Sequence, residues 1–309
     1  MDKILAKVIS KLDKDRFIDQ IATELSGTEF NSLMLEIFRK RATVIQPAAL
    51  MEAFEKNRFV QPGRNATIKS REMELEWLKH VHTQGFHALT LSPVAPIGCC
   101  AAVATVNQNK VLSSLKGTEV VADASNMLAL KIAQDFKEEK NKDRIVQYAT
   151  VHRHIRAQAY NNPDYAAHFS VLCMASGGFD RGGYNFEINQ LNLHMATLWT
   201  LLKKALPMEE MTIKFYLKST DEQFAALLQQ EGHVWSSLKY ELISDLNKPY
   251  YHTVQFKIFI TVDNIEMDIA DGGFVDWTQQ LIPNKKHRLI ISAAGLELVQ
   301  LLLSRKSAQ

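Results

Sequence analysis

Apolar side chains recur at spacings of three and four from the start of the chain. Ile4, Val8, Ile9, Leu12, Phe17, Ile18, Ile21 and Ala22 alternate with charged residues in the rhythm of amphipathic helix. Ser26-Gly27-Thr28 punctuates that run, and Glu29–Arg41 and Ala48–Phe59, the second after Pro47, predict two further helices. Pro62, Gly63 and Asn65 mark Val60–Ile68 as a linker, so residues 1–68 read as a helical region and 69–309 as a separate domain. Ser70–Gln84 predicts a long helix, with Ser70 as N-cap, Glu72 and Glu74 in the first turn, and Gly85 ending it. His87–Ser92 then alternates like a strand up to Pro93. Val103–Val111 and Thr118–Ala122 predict strands, and Asn126–Lys140 a helix. Ser176–Gly183 reads as a glycine-rich loop. After it come a helix over Asn185–Lys204, a strand over Thr212–Lys218 and a helix over Asp221–Glu231 capped by Thr220. Tyr250–Asp263 reads as strand, Arg288–Ser292 as strand and Gly295–Ser304 as helix. Strands and helices mix without regular β-α-β alternation, which predicts an α+β fold with a mainly antiparallel sheet flanked by helices.

One stretch carries candidate chemistry. Thr150–Phe169 reads as strand, polar loop and returning strand, with Asn161, Asn162, Pro163 and Asp164 as turn formers. Strand alternation places His152, His154, Arg156 and Gln158 on one face and Val151, Ile155 and Ala157 on the other. A permanent cation between imidazoles and an amide, with Phe169 on the returning strand, suits a phosphate and a flat ring. An edge hairpin with a solvated polar face carries the same pattern.

Composition narrows the function classes. Of 309 residues, 46% are hydrophobic and 23% charged, and the net charge of +2 gives no strong pull toward nucleic acid or anionic lipid. Three cysteines, Cys99, Cys100 and Cys173, form neither a disulfide framework nor a zinc pattern and fit a reducing compartment. The N-terminus lacks the apolar run of a signal peptide, and Leu289–Leu303 is broken by Gly295 and Glu297. A cytoplasmic protein without a membrane segment is expected.

Three segments in order resemble the class II aminoacyl-tRNA synthetase catalytic core. Gly85-Phe86 with the strand to Ser92-Pro93 is similar to its first motif, the hairpin to its second, and Arg288–Ser292 with Ala293-Ala294-Gly295 and a helix to its third. Tyr250-Tyr251 and Asp271-Gly272-Gly273-Phe274-Val275-Asp276 resemble the double-tyrosine strand and Gly-Gly-Arg-Tyr-Asp loop of histidyl-tRNA synthetases and the ATP phosphoribosyltransferase regulatory subunit. The resemblance covers roughly Lys69–Ser304. It implies ATP with Mg²⁺ as cofactor and a homodimer through residues 70–93. Arg156 and Gln158 fall at catalytic positions, and Arg156, Phe169, His168 and Glu297 would meet the nucleotide. Glu119, Asp123, Asn126, Tyr250, Tyr251, Gly272, Gly273 and Asp276 would line the substrate side.

The chain departs from that pattern at several points. Gln158 stands where the second motif has a glutamate, and Leu298 where the third has the arginine that packs under ATP. Val171 and Ala175 fall where the histidyl enzymes read the imidazole, and Leu246 and Pro249 where they carry an arginine and an aspartate. An apolar side chain cannot replace a charged hydrogen bond, so histidine is not the expected substrate. A relative lacking the anticodon-binding domain of the histidyl enzymes is expected, and the N-terminal region lacks a basic stripe for tRNA. Two functions stand on these residues. One is ATP-dependent, ligase-type activation of a carboxylate other than histidine. The other is a non-catalytic, ligand-sensing or regulatory subunit with a protein partner.

Other groups weigh less. His152 and His154 could share a metal, but without a nearby carboxylate or thiolate in sequence they read as polar lining, and no metal site is assigned. Asp123 and Asn126 suit an ammonium, while Asp123 or Ser125 would equally cap a helix. Cys99 and Cys100 read as small buried hydrophobes.

Overall fold

Ser26 fixes the start of the first long helix. Its hydroxyl accepts from the Glu29 amide while the Glu29 carboxylate accepts from the Ser26 amide, a reciprocal capping box. The computed structural model describes residues 16–63, 67–138, 144–158, 165–218, 221–231, 238–244, 250–262 and 265–307. The periodicity at Ile4–Leu12, the turn formers Asn161–Asp164, the predicted cap Thr220, Leu246 and Pro249 lie outside these residues.

Helices α1 (Gly27–Thr43) and α2 (Pro47–Lys56) bury none of their residues and leave Leu35, Phe38, Leu50 and Phe54 exposed. Helix α3 (Thr67–Thr83) begins before Ser70, so Ser70 is not its cap; the hydroxyl donates to Gln300 Oε1 at 2.7 Å instead. Gly85, at φ +96°, turns the chain out of that helix.

The sheet has eight strands in the order β1-β4-β5-β10-β9-β8-β6-β7. They are β1 (His87–Ala88), β4 (Val146–Ile155), β5 (His168–Phe179), β6 (Glu210–Leu217), β7 (Tyr240–Ile243), β8 (His252–Val262), β9 (Ile265–Val275) and β10 (His287–Gly295). Pairing is antiparallel except at the two edges, where β1 runs parallel to β4 and β7 to β6. A separate ribbon pairs β2 (Val94–Pro96) with β3 (Thr118–Val120).

Two predicted elements are corrected. Val103–Val111 is not a strand: helix α4 (Cys99–Val103) and a 3₁₀ turn at Gln108–Lys110 take its place. Gly98 at φ +82° and a carboxylate that receives the Gly98 and Cys100 amides wind the chain there. Ser176–Gly183 is strand as far as Phe179, not loop. A Cβ on Gly177 would stand 2.4 Å from Ile132 Cγ2, and one on Gly178 2.6 Å from Phe186 Cε2, so glycine there admits helices close to the sheet.

Side chains alternate between two buried faces. On one, Leu172, Met174, Phe215, Val254, Phe256, Ile258 and Ile290 meet Trp77 and Val81 of α3, Leu191, Met195 and Leu198 of α6 (Asn185–Ala205), Phe224 of α7 (Glu222–Gln230) and Val299 of α9 (Leu296–Ser307). On the other, Val171, Cys173, Ala175, Leu289 and Ile291 pack under Leu128, Ile132 and Phe136 of α5 (Ala124–Glu138), with Trp277 of α8 (Trp277–Leu281). Burying each of the larger apolar groups contributes about 1.5–3 kcal/mol, so both layers hold the sheet. His194 crosses the first layer, with Nε2 2.8 Å from Ser176 Oγ and Nδ1 2.7 Å from Ser292 Oγ. Burial pushes its pKa down to about 3, so the ring is neutral and links helix to sheet by hydrogen bonds. None of the helices among the described residues is long and apolar enough to cross a membrane.

Candidate functional site

The hairpin β4–β5 sets the site because its register fixes which residues meet. His154 lies opposite Phe169 and Ile155 opposite His168. His152, His154, Phe169, Val171 and Cys173 therefore face α5, whereas Arg153, His168 and Ser170 face the other way.

On the α5 side, His154 is 1% exposed and its Nε2 accepts from the Ala124 amide at 3.0 Å. Burial pushes its pKa down to about 3, and it lowers that of His152 as well. Asp123 accepts from the Ser125 amide at 2.9 Å, so it caps α5. Asp123, His154 and Cys173 bring one potential ligand atom each to within 4.8 Å of one another. The lone pair of His154 Nε2 is already taken by the Ala124 amide, and burial raises the Cys173 thiol above its ordinary value. The trio is polar packing between hairpin and helix. Cys99 and Cys100 are likewise pushed up to about 12 by burial and are inert thiols.

Arg156 follows the strand. Its amide donates to Ala167 O at 3.0 Å, its Nε donates to Ala122 O at 3.1 Å, and its guanidinium lies 5.3 Å from the Phe169 ring centre. Gln158 lies beyond it, half-buried. A residue the sequence reasoning passed over holds this end of the hairpin: Arg58 Nη2 donates to Ala157 O at 2.6 Å and to Gln158 O at 2.8 Å. The signal was present as a lone arginine at the linker's edge.

The remaining predicted residues scatter. His168 sits on the face away from Phe169, accepting from Arg153 Nε at 2.8 Å on Nδ1 and donating from Nε2 to Gln61 O at 2.6 Å. Glu297 pairs with Arg153 at 2.8 Å on that same face, and Leu298 joins the apolar cluster around α9. Glu119 is fully buried, and its carboxylate accepts from Gly98 N at 2.8 Å, Cys100 N at 3.1 Å and Gln108 Nε2 at 2.9 Å. Asn126, also fully buried, donates to Cys100 Sγ at 3.1 Å.

Tyr250 and Tyr251 stack with ring centres 4.6 Å apart, and Tyr250 continues to Trp277 at 6.0 Å. Tyr251 is 3% exposed; burial, with the Asp271 charge nearby, pushes its phenol well above the ordinary value. Asp271 opens the glycine-containing segment read from the sequence but was given no role there. Gly272 and Gly273 lie inside β9 and not in a loop. A Cβ on Gly272 would meet Phe256 and Ser292 at 2.6 Å, and one on Gly273 would meet Val254 O at 2.5 Å. Asp276 faces a different space, 3.4 Å from His252 Nε2, in a cleft that none of Arg156, Phe169, Tyr250 and Tyr251 lines.

A mostly antiparallel sheet that includes this hairpin, the glycine-paired β9 and the strand–helix unit β10–α9 has the fold of class II aminoacyl-tRNA synthetase-like structures. Solved structures share it. A histidine–tRNA ligase subunit from Alicyclobacillus acidocaldarius superposes at TM-score 0.58 with 11% identity, over 80% of this chain and 97% of that one. An ATP phosphoribosyltransferase regulatory subunit/histidyl-tRNA synthetase from Bacillus halodurans gives TM-score 0.59 with 12% identity, over 80% and 82%. Histidyl-tRNA synthetase from S. aureus gives 0.60 with 10% identity, over 77% and 66%. At these identities the likeness is one of fold. No family model and no curated protein matches the sequence.

Proposed function

We propose that this chain is a ligand-binding relative of the class II synthetase core that works as a regulatory subunit and forms no adenylate. The observation that carries this is Glu119. The resemblance puts it where a substrate ammonium would be held, yet its carboxylate is buried and receives two backbone amides and a glutamine side chain. Releasing it would leave buried donors unpaired, at about 1–3 kcal/mol each. Three further features support the reading. Leu298 supplies no cation to a triphosphate, Glu297 is tied to Arg153, and the Arg156 guanidinium lies beside the Phe169 ring where a base would stack. The residues present therefore do not fit ATP with Mg²⁺ held as the resemblance implies, and no step is assigned through it.

In this reading the ligand is an amino acid or a related small metabolite, and the functional assembly includes a protein partner. A homodimer through residues 70–93 is part of the proposal, supported by the exposed short edge strand β1 and by Leu75, which is 54% exposed on α3. A thermal-shift screen of the full chain tests the reading, because a ligand that binds only the folded state raises the midpoint. Stabilisation by an amino acid or related metabolite, with none from ATP and Mg²⁺, is the expected result. Strong stabilisation by ATP and Mg²⁺ alone would contradict it.

A further inference from the structure

The cover on the α5 face of the sheet is incomplete. Leu289 and Ile291 of β10 are buried there, but Ala293 and Gly295 further along the same strand are only half-buried, as is Asp271 on β9. β9 and β10 are the central pair of the eight strands, so solvent reaching them marks a recess and not an edge.

The neighbours fix which residues face this recess. Ser292 bonds His194 of α6, so Ala293 points the other way. A Cβ on Gly272 would meet Phe256 and Ser292 on the α6 side, so Asp271 and Gly273 point toward α5. Cys173, Ala293, Asp271 and Lys257 form one row across β5, β10, β9 and β8, and Ala175, Ile291, Gly273 and Gln255 form the next. Val254 and Phe256 lie in the α6 layer, so Gln255 between them turns to the recess side. It is fully buried, and among the described residues neither its Oε1 nor its Nε2 has a hydrogen-bond partner. An interior amide with both ends unpaired is rare and unfavourable, and it calls for a partner that the fold itself does not supply.

The charge over this floor is negative. Its cations are Arg156, at the hairpin end, and Lys257, whose ammonium goes to Asp268 at 2.6 Å; Lys214 beyond it goes to Glu266 at 2.8 Å. The carboxylates left to balance Arg156 are Asp123 and Asp271. Burial lowers the pKa of His152 and pushes that of His154 down to about 3, so neither ring adds a cation. Burial raises the Cys173 thiol most, the Asp123 and Asp271 charges add to that rise and the Arg156 charge opposes it, so all three charged groups surround one side chain of the floor. Arg156 and Asp271 stand at opposite ends. From Phe169 to the Cys173 row is four residues, roughly 13 Å, and from β5 to β9 two strand spacings, roughly 10 Å. Even with both side chains reaching inward, the ammonium and carboxylate on one α-carbon are too close together to bridge that span. An extended side chain that ends in an ammonium can bridge it.

We propose that this recess takes an amino acid with a cationic side chain of the lysine or ornithine type. Its terminal ammonium is held by the Asp271 carboxylate and Gln255 Oε1, and its carboxylate turns toward Arg156. Asp271 also has a contact within the fold, and the further lone pairs of its carboxylate serve the ammonium. The proposal rests on the amino-acid ligand of the reading above and names its class. Isothermal titration of the full chain with L-lysine, L-ornithine, L-norleucine and the remaining standard amino acids tests it, because norleucine keeps the length of lysine and lacks its terminal amine. Saturable binding of lysine or ornithine is expected, with norleucine at least tenfold weaker. Asp271→Asn should weaken the binding about tenfold and narrow the gap to norleucine. Gln255→Leu should also weaken it, yet leave the thermal midpoint unchanged or higher, since it removes an unpaired buried amide; a purely structural glutamine would show the opposite. Circular dichroism confirms that each variant is folded. Norleucine binding as tightly as lysine, saturable binding of other amino acids only, or lysine binding that Asp271→Asn leaves unchanged would overturn the assignment and leave an amino-acid-binding regulatory subunit standing. Binding of no amino acid at all would remove that reading as well.

Discussion

Arg153 and Glu297 meet at 2.8 Å and tie the hairpin to the final helix on the face of the sheet opposite Phe169. Glu297, which the resemblance alone assigns to a nucleotide, is thus joined to a residue on the face away from Phe169. The pair is partly exposed, with side-chain exposures of 42% and 15%. A double-mutant cycle with Arg153→Ala and Glu297→Ala should give a coupling of about 0.5–1 kcal/mol in urea denaturation, falling with added salt. A coupling indistinguishable from zero at low salt would show that the pair does not clamp the two elements.

Glu119 is the more consequential carboxylate. Glu119→Ala strands the Gly98 and Cys100 amides in the interior and should cost roughly 3 kcal/mol or more in unfolding free energy. Glu119→Gln should lie between, because the amide retains one acceptor and adds an unwanted donor. If Glu119 instead served a ligand, the alanine variant would lose ligand binding and keep its denaturation midpoint.

Acid should destabilise the fold through two buried imidazoles. His154 and His194 both have folded-state pKa values pushed down to about 3, against about 6.5 unfolded. The unfolded chain therefore takes up protons first as pH falls. The stability contributed by the neutral rings is complete above about 6.5 and declines from there toward pH 3. Urea midpoints between pH 7.5 and 5 should fall, and His194→Gln should flatten that slope while lowering the midpoint at pH 7.5. An unchanged slope in the variant would remove His194 from the account.

Gly273 is a packing residue. A methyl group there meets backbone, Val254 O, which cannot rotate aside, so Gly273→Ala should destabilise by about 1–3 kcal/mol or more. Gly27→Ala is the control, with nothing within 4 Å of the added Cβ, and should be neutral or slightly stabilising. Thermal midpoints of the two variants decide between packing and ligand approach. A Gly273→Ala protein of unchanged midpoint but impaired ligand binding would favour the latter.

The helices and the order of the motif-like segments were legible because amphipathic periodicity is a local property. Glycine was misread where the fold uses it for close approach. Gly177, Gly178, Gly272 and Gly273 look like turn signals in sequence, yet they lie in strands beneath Ile132, Phe186, Phe256 and Tyr251. The alternation that assigned one face to His152 and His154 also implied opposite faces for His168 and Phe169, so grouping those two as one nucleotide site conflicted with strand geometry. Val103–Val111 looked apolar enough for a strand, but the Glu119 carboxylate, distant in sequence, drew the preceding amides into a helical turn. The cleft lined by His252 and Asp276 was legible only at Asp276. Its residues come from β8, β9, β10, helices α6 and α8 and the segments after β6 and α8, and they meet only through the fold.

ATP–pyrophosphate exchange, run with Mg²⁺ across the amino acids and a panel of small carboxylic acids, tests the central claim most directly. No exchange above background with any acid is predicted, in the wild-type chain and in Arg156→Ala alike. Acid-dependent exchange that Arg156→Ala abolishes would establish adenylate formation at the hairpin and contradict the account.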